Sequence, residues 1–215
     1  DKNDYFRKYI LNETILYKLN FLKKFKQLIL NIYPKNIIYE KTNVNETISL
    51  IKKEYPLIIN PTLISKKYNI SVSVDILITK RLFKEVFKYI NNVNFSNIKD
   101  TDYLIINILP EIVQFKSDKK TLQKNEIINF NECSLYVFNS ALKQHTPRCD
   151  IGFIFAKGYK FKNELLDKKF NIGLVKFDDN IRWKVINSCN WIKRLKKEHY
   201  RINDIDTLPI ELYPN

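Results

Sequence analysis

The stretch YLIINILPEIVQF, residues 103–115, decides how this sequence is interpreted. Its first seven residues form an apolar run of the length that buried strands have, and only the amide of Asn107 interrupts it. We expect Pro110 to end this strand, because proline cannot donate a ladder hydrogen bond. A polar side chain inside a buried strand is normally hydrogen-bonded or functional, so Asn107 is the residue to explain.

A second strand candidate carries an acid in the same way. SVSVDILIT, residues 71–79, alternates apolar and polar residues around Asp75, and we interpret it as one strand. KKYNIS, directly before it, is typical of a hairpin turn. The preceding strand, 57–63, is broken by Pro61. Two candidate central strands therefore each hold a conspicuous polar residue, Asp75 in one and Asn107 in the other.

Helices are predicted on both sides of these strands. Residues 4–33 place apolar side chains at steps of three and four, which predicts one stripe along a long helix. The stripe comprises Leu11, Ile15, Leu19, Leu22, Phe25 and Ile29. Lys18 lies beside it, where its stem can pack while its ammonium reaches water. Asn43 and Glu46 have capping-box spacing, which predicts a second helix over 43–53.

The remaining pattern completes an α/β domain. Further helices are predicted at 81–89, 131–143 and 179–197, and strands at 150–156 and 171–177 with a turn at Gly158. This order predicts a mixed central β-sheet flanked by helices. We interpret 1–215 as a single domain from a longer protein, with helices in 1–54, the sheet core in 55–177, and a helix and tail in 178–215.

Composition and charge narrow the class of protein. The 215 residues are 45% hydrophobic and carry a formal net charge of +14, which favours a folded domain with an anionic partner such as nucleic acid, or else a merely solvated basic surface. The three cysteines include no CxxC pair, which argues against a disulfide framework or a zinc site. We also expect no membrane segment and no secretion.

Several segments together resemble the PD-(D/E)XK nuclease superfamily, and especially members from giant DNA viruses of the mimivirus kind. VSVDILITKRLF is similar to the family's Asp-bearing strand and DYLIINIL to its (D/E)XK strand. TISLIKKEYPLIINPTL resembles the helix and strand that precede them. LYVFNSALKQHTPRCDIGFIFAKGYKF resembles the helix and strand that follow, and LPIELYPN resembles a C-terminal signature. The resemblance implies a restriction-endonuclease-like core.

The resemblance also implies a degenerate catalytic motif. Active members use two carboxylates to bind Mg²⁺ and a lysine to stabilise the reacting phosphate. Asp75 keeps the first position, but the second carboxylate falls on Asn107 and the lysine on Leu109. On the following helix, a lysine, a glutamine and a tyrosine of some members fall on Glu132, Ser134 and Phe138. We therefore predict no bound metal.

Alternatives stay open at this point. Glu111 lies two residues beyond Leu109 and could replace the missing carboxylate, and Lys116 or Lys143 could supply a relocated lysine. Glu46 resembles an accessory acid of some members, although a helix cap is the simpler interpretation. If the resemblance is misleading, Asp75 and Asn107 would hydrogen-bond each other or nearby backbone in an ordinary core.

These expectations converge on a nucleic-acid-binding or structural domain, leaning away from catalysis. DNA is the favoured partner, other viral proteins are possible partners, and the expected location is a viral factory in the host cytoplasm or the virion. The alternatives are a Mg²⁺-dependent DNA nuclease with relocated residues and a capsid-associated structural protein. The candidate phosphate contacts are Lys80, Arg81, Lys84, Lys143, Arg148 and Lys157.

Overall fold

The computed structural model describes residues 2–33, 37–40, 43–88, 95, 98–146, 151–166 and 172–197. The elements in chain order are α1 (Lys2–Ile32), β1 (Ile38–Glu40), α2 (Val44–Lys52), β2 (Leu57–Ile59), β3 (Thr62–Ser65), β4 (Ile70–Ser73), β5 (Ile76–Thr79), α3 (Lys80–Val86), β6 (Tyr103–Gln114), α4 (Glu126–Leu142), β7 (Ile151–Phe161), β8 (Glu164–Leu166), β9 (Gly173–Lys176) and α5 (Asp179–Lys197).

Seven of the described strands form one mixed sheet, which confirms the predicted α/β class. The order is β1-β2-β5-β6-β7-β8, and β9 also pairs with β7. β5 is antiparallel to β2 and to β6, whereas β6 is parallel to β7. The two strands that carry the predicted site, β5 and β6, are therefore neighbours, with Ile76 opposite Ile106.

Helices cover both faces of this sheet because alternate residues of its strands point to opposite sides. On one face Leu77, Ile105 and Leu109 belong to a core that includes side chains of α2 and α4. On the other face the core joins the strands to α1 and α3. α4 is further covered by α5, where Val137 packs with Val185 in a third cluster.

The apolar stripe of α1 is only half buried. Leu22, Phe25 and Ile29 pack against the sheet, as predicted. Leu11, Ile15 and Leu19 are about half exposed and belong to none of the core clusters of the described residues. Neither α1 nor any other helix within the described ranges is apolar over a long enough stretch to cross a membrane.

Local signals placed two helices correctly. Asn43 caps α2, with its side chain accepting from the Glu46 backbone and the Glu46 side chain accepting from the Asn43 backbone. Glu46 is thus a helix-cap residue, as the simpler interpretation held. α5 spans Asp179–Lys197, which are the predicted bounds.

One predicted turn and two predicted strands are wrong in detail. Residues 71–79 form two strands rather than one: β4 pairs with β3 as the predicted hairpin, while β5 joins the large sheet. β7 continues through Gly158, and the turn lies at Lys162 and Asn163, both with positive φ. β6 continues through Pro110 to Gln114, with a register shift between Leu109 and Ile112.

Candidate functional site

Asp75 lies where the chain passes from the small hairpin to the large sheet. Its carbonyl oxygen accepts from the Asn60 backbone at 2.9 Å, and Val74 donates to Pro61 at 3.3 Å. These bonds hold the residue at the start of β5 without making it part of the strand. Only 9% of Asp75 is exposed, so its carboxylate requires partners within the protein.

Those partners are a lysine from α1 and a backbone amide from β6. Lys18 Nζ lies 2.9 Å from Asp75 Oδ1 and 2.8 Å from Oδ2. The Ile108 backbone N–H donates to Asp75 Oδ2 at 2.7 Å. The Lys18 side chain is one-third exposed, but its ammonium also binds Asp75, a contact that was not predicted, and balances the charge of that carboxylate.

Asn107 has a different partner from Asp75. Its side-chain Nδ2 donates to Asn131 Oδ1 of α4 at 3.2 Å, and Asn131 Nδ2 donates to the Ile127 carbonyl at 3.0 Å. Asp75 and Asn107 do not hydrogen-bond each other, but Asp75 accepts from the Ile108 backbone, so the open alternative of a bond to nearby backbone holds for Asp75. The amide that interrupts the apolar run of β6 joins the sheet to α4 through a pair of asparagines.

Leu109 and Glu111 line the same pocket beside α1 but differ in burial. Leu109, at the position that the resemblance assigns to a lysine, is 6% exposed and belongs to the core between the sheet and α4. Glu111 is half-buried, and its Oε2 is buried without a hydrogen-bond partner in the described structure. The pKa of Tyr17 is raised by burial and, secondarily, by the negative charge of Glu111, so this acid lies beside α1.

The cleft at the junction of α1, the hairpin and α4 has a volume of about 710 Å³. Lys18 and Asp75 are the charged residues that line it, and the remaining lining residues are neutral. The other lining residues are Asn43, Asn60, Thr62, Ser73, Val74, Asn107, Phe130, Asn131 and Ser134. A smaller adjoining pocket shares Lys18 and Asn131 and contains Glu111.

The helix positions named by the resemblance do not converge on this cleft. Ser134 lines it, but Phe138 is fully buried in the core. Glu132 is 3% exposed, and its Oε2 lies 3.8 Å from Lys124 Nζ. Burial raises the pKa of Glu132, and the positive charge of Lys124 opposes that rise.

The residues at this cleft do not fit Mg²⁺, which requires anionic oxygen ligands. Its one carboxylate, Asp75, is bound by Lys18 and by a backbone amide. Asn107 offers a neutral amide, and Leu109 offers no ligand atom. Across the part of the chain that the structure describes, no group of three or more His, Cys, Asp or Glu side chains is placed to hold a metal ion.

The candidate phosphate contacts are dispersed rather than gathered. Arg81 and Lys84 lie on α3, at the end of β5 opposite Asp75, and both are exposed. Lys143 follows the last residue of α4, and Lys157 is exposed on β7. Arg148 lies outside the described residues.

Lys80 differs from the others because it is buried. Its Nζ donates to the carbonyl oxygens of Phe95 and Ile98 and lies 3.3 Å from Asp100 Oδ1. An ammonium has three N–H donors, so these three partners occupy all of them. Lys80 therefore ties the start of α3 to Phe95, Ile98 and Asp100, and it is not the surface cation that the sequence suggested.

Lys18 is the residue of this cleft that sequence reasoning misplaced. It is 57 positions from Asp75, so no local spacing connects the two. The available signal was a lysine beside the apolar stripe of a helix, because a stem buried there brings the charge close to the sheet. Asn131 was not singled out at all, and an asparagine on α4 at this position carried no distinctive signal.

A comparison of the chain with protein-family models and with curated proteins finds no match.

Proposed function

We propose that this chain is a catalytically inactive, PD-(D/E)XK-like domain of a large DNA virus that binds nucleic acid without cutting it. The observation that carries the proposal is the Lys18–Asp75 pair, which takes up the one carboxylate of the cleft. Asp75, directly before β5, and Asn107, on the neighbouring strand β6, line the same cleft of the mixed sheet, which supports a common ancestry with that superfamily.

The chemistry of the cleft argues against hydrolysis of a phosphodiester. The second carboxylate is replaced by Asn107, which is held by Asn131, and the lysine by a core leucine. Loss of one positioned electrostatic group costs roughly 3 kcal/mol of transition-state stabilisation. Two such losses together leave too little stabilisation for an effective nuclease.

The charge of the chain argues for a polyanionic partner. A net charge of +14 on 215 residues is large, and Lys and Arg bind phosphodiesters through contacts that release counterions. DNA is the favoured partner. DNA is present in a viral factory and in a virion, and other viral proteins in the same particle are further possible partners.

The proposal is tested by titrating fluorescent 20-nucleotide DNA and RNA with the protein at several salt concentrations. We expect binding that weakens steeply with salt, together with intact plasmid and linear DNA after incubation with Mg²⁺ or Mn²⁺. Asp75→Asn should bind as the wild type does, since the carboxylate already has internal partners. Absence of binding and of cleavage would overturn the proposal and leave a structural, capsid-associated module.

A second candidate function, a Mg²⁺-dependent nuclease with relocated residues, is favoured by one observation. β6 does not end at Pro110, and Glu111 therefore lies in a pocket that adjoins the Asp75 cleft and shares Lys18 with it. Metal-dependent cleavage that disappears in both Asp75→Asn and Glu111→Gln would establish this candidate. Glu46→Gln, a substitution at the α2 cap, is the control that should leave any cleavage unchanged.

A further inference from the structure

A second pocket lies away from the cleft, between the turn that joins β3 to β4 and the C-terminal end of α4. Its volume is about 520 Å³, and Lys66 and Lys67 of the turn face Lys143 across it. Ser140 and Gln144 add side-chain hydroxyl and amide groups to the lining. Three lysines from two separate elements therefore converge on one concave surface.

The positive charge of this pocket is not compensated within the described structure. None of Lys66, Lys67 and Lys143 forms an ion pair with a described residue. Lys67 Nζ lies 5.2 Å from the centroid of the Tyr68 ring, a contact that leaves its N–H groups available. All three lysines are exposed, so their ammonium groups can reach a ligand.

The positive charge around the pocket also acts on His145, the residue after Gln144. The pKa of His145 is lowered by burial and then by the positive charges of Lys52 and Lys66. A fourth lysine thus lies close enough to act on the same region. An anion bound there would offset this repulsion and raise the pKa of His145.

The pocket is separate from the Asp75 cleft. Lys143 follows Asn131 by twelve residues along α4, a rise of about 18 Å. Substitutions in one region can therefore be made without touching the other.

We propose that this pocket binds phosphate groups, and that, if the proposed function holds, they belong to a nucleic-acid strand. Lysine binds phosphate as a point charge, and the hydroxyl of Ser140 and the amide of Gln144 supply further N–H and O–H donors. The lysines of the pocket then make the charged contacts with the strand. The Asp75 cleft, in which Lys18 balances the carboxylate, lies beside the bound strand.

The test compares two triple variants with the same change in charge. The pocket variant is Lys66→Gln, Lys67→Gln, Lys143→Gln. The control is Lys23→Gln, Lys24→Gln, Lys88→Gln, whose positions are exposed on α1 and after α3, on the opposite side of the sheet. In titrations of 20-nucleotide DNA, the pocket variant should lose roughly tenfold or more in affinity, and its slope of log K against log salt should fall by about 2 to 3. The control should keep the wild-type slope.

Equal losses in the two variants, or no loss in the pocket variant, would overturn the pocket as the phosphate site while leaving nucleic-acid binding intact. Equal midpoints of urea unfolding for wild type and variants establish that the fold is retained.

A second arm separates failure of the pocket from failure of the proposed function. Pyrophosphate is added to the wild type and the pocket variant, and the His145 ring resonance is titrated by NMR. We expect pyrophosphate to raise the pKa of His145 in the wild type only. If the protein binds no nucleic acid but this shift occurs, the proposed function fails and the pocket stands as a site for free phosphate compounds. If the shift is absent, the pocket is overturned.

Discussion

The Asp75 cleft and the Lys66–Lys67–Lys143 pocket lie at opposite ends of α4, and they use charge in opposite ways. In the cleft, the lysine and the carboxylate bind each other, and the two asparagines bind each other. In the pocket, three lysines have no acidic partner among the described residues. Asp75 and Asn107 are thus engaged within the fold, whereas the lysines of the pocket carry positive charge that no described acid compensates.

The sharpest way to break this comparison is to place a lysine at Leu109, the position that the resemblance assigns to a catalytic lysine. Leu109→Lys would place an ammonium in the core between the sheet and α4, where the residue is 6% exposed. We expect it to lower the free energy of unfolding by roughly 3 to 5 kcal/mol, because a buried unpaired charge is costly. Leu109→Met keeps the volume and should cost less than about 1.5 kcal/mol in the same urea titration.

A stable Leu109→Lys protein would contradict the interpretation of this position as core. It would indicate that the side chain at position 109 reaches the cleft and is not held in the core.

Removing Lys18 should have the next largest effect. Lys18→Met leaves the Asp75 carboxylate with only the Ile108 amide, and we expect a loss of about 2 kcal/mol of stability, less than for a fully buried pair because Lys18 is one-third exposed. Adding Asp75→Asn should recover most of that loss. Lys24→Met, at an exposed position of the same helix, is the control for replacing a lysine by methionine. Additive effects of Lys18→Met and Asp75→Asn would show that the pair does not couple.

Glu132 is a buried acid without a full set of partners, unlike Asp75. Replacing it should therefore stabilise the fold, whereas removing a partner of Asp75 should destabilise it. Glu132 Oε2 accepts no hydrogen bond within the described structure, so Glu132→Gln should stabilise the protein by about 1 kcal/mol at pH 7. The raised pKa means that the folded state takes up a proton before the unfolded chain does. The wild type should therefore gain stability relative to the variant as pH falls from 7 toward 4.5, and the difference should level off below that. A difference that is constant from pH 7 to 4.5 would contradict the raised pKa.

The smallest effect is expected in the pocket. Lys66→Gln and Lys143→Gln remove exposed cations that make no ion pair in the described structure, so each should change the free energy of unfolding by no more than about 0.5 kcal/mol. A larger loss in thermal or urea unfolding would show that the lysines serve the fold, as the residues of the cleft do.

Local signals in the sequence predicted α2, α5 and the class of fold well, whereas α4 begins at Glu126 and not at residue 131 as predicted. The capping box joins Asn43 and Glu46, which are three residues apart in the sequence. The amphipathic pattern of α5 ends where the helix ends. Both are properties of a short segment and need no knowledge of the rest of the chain. The same holds for the hairpin turn between β3 and β4.

The errors arose where pairing with distant segments decides the structure. The alternation through residues 71–79 does not reveal that Asp75 separates two sheets, because either half is an acceptable strand. Pro110 did not end β6, because the register shift beside it accommodates a residue that lacks an N–H. The partners of Asp75 and Asn107 come from α1 and α4, so sequence could name these two residues but could not describe their state.

The origin of Lys18 has a consequence for any shortened form of this protein. The lysine belongs to α1, where the preceding Leu11 and Ile15 are about half exposed, and the carboxylate lies directly before β5 of the sheet. A protein that begins after Lys18 would turn the neutral cleft into an anionic one, which repels a polyanion and attracts cations. Truncation at the N-terminus therefore alters the electrostatics of a site more than fifty residues away, and binding measured on such a fragment would not represent the whole chain.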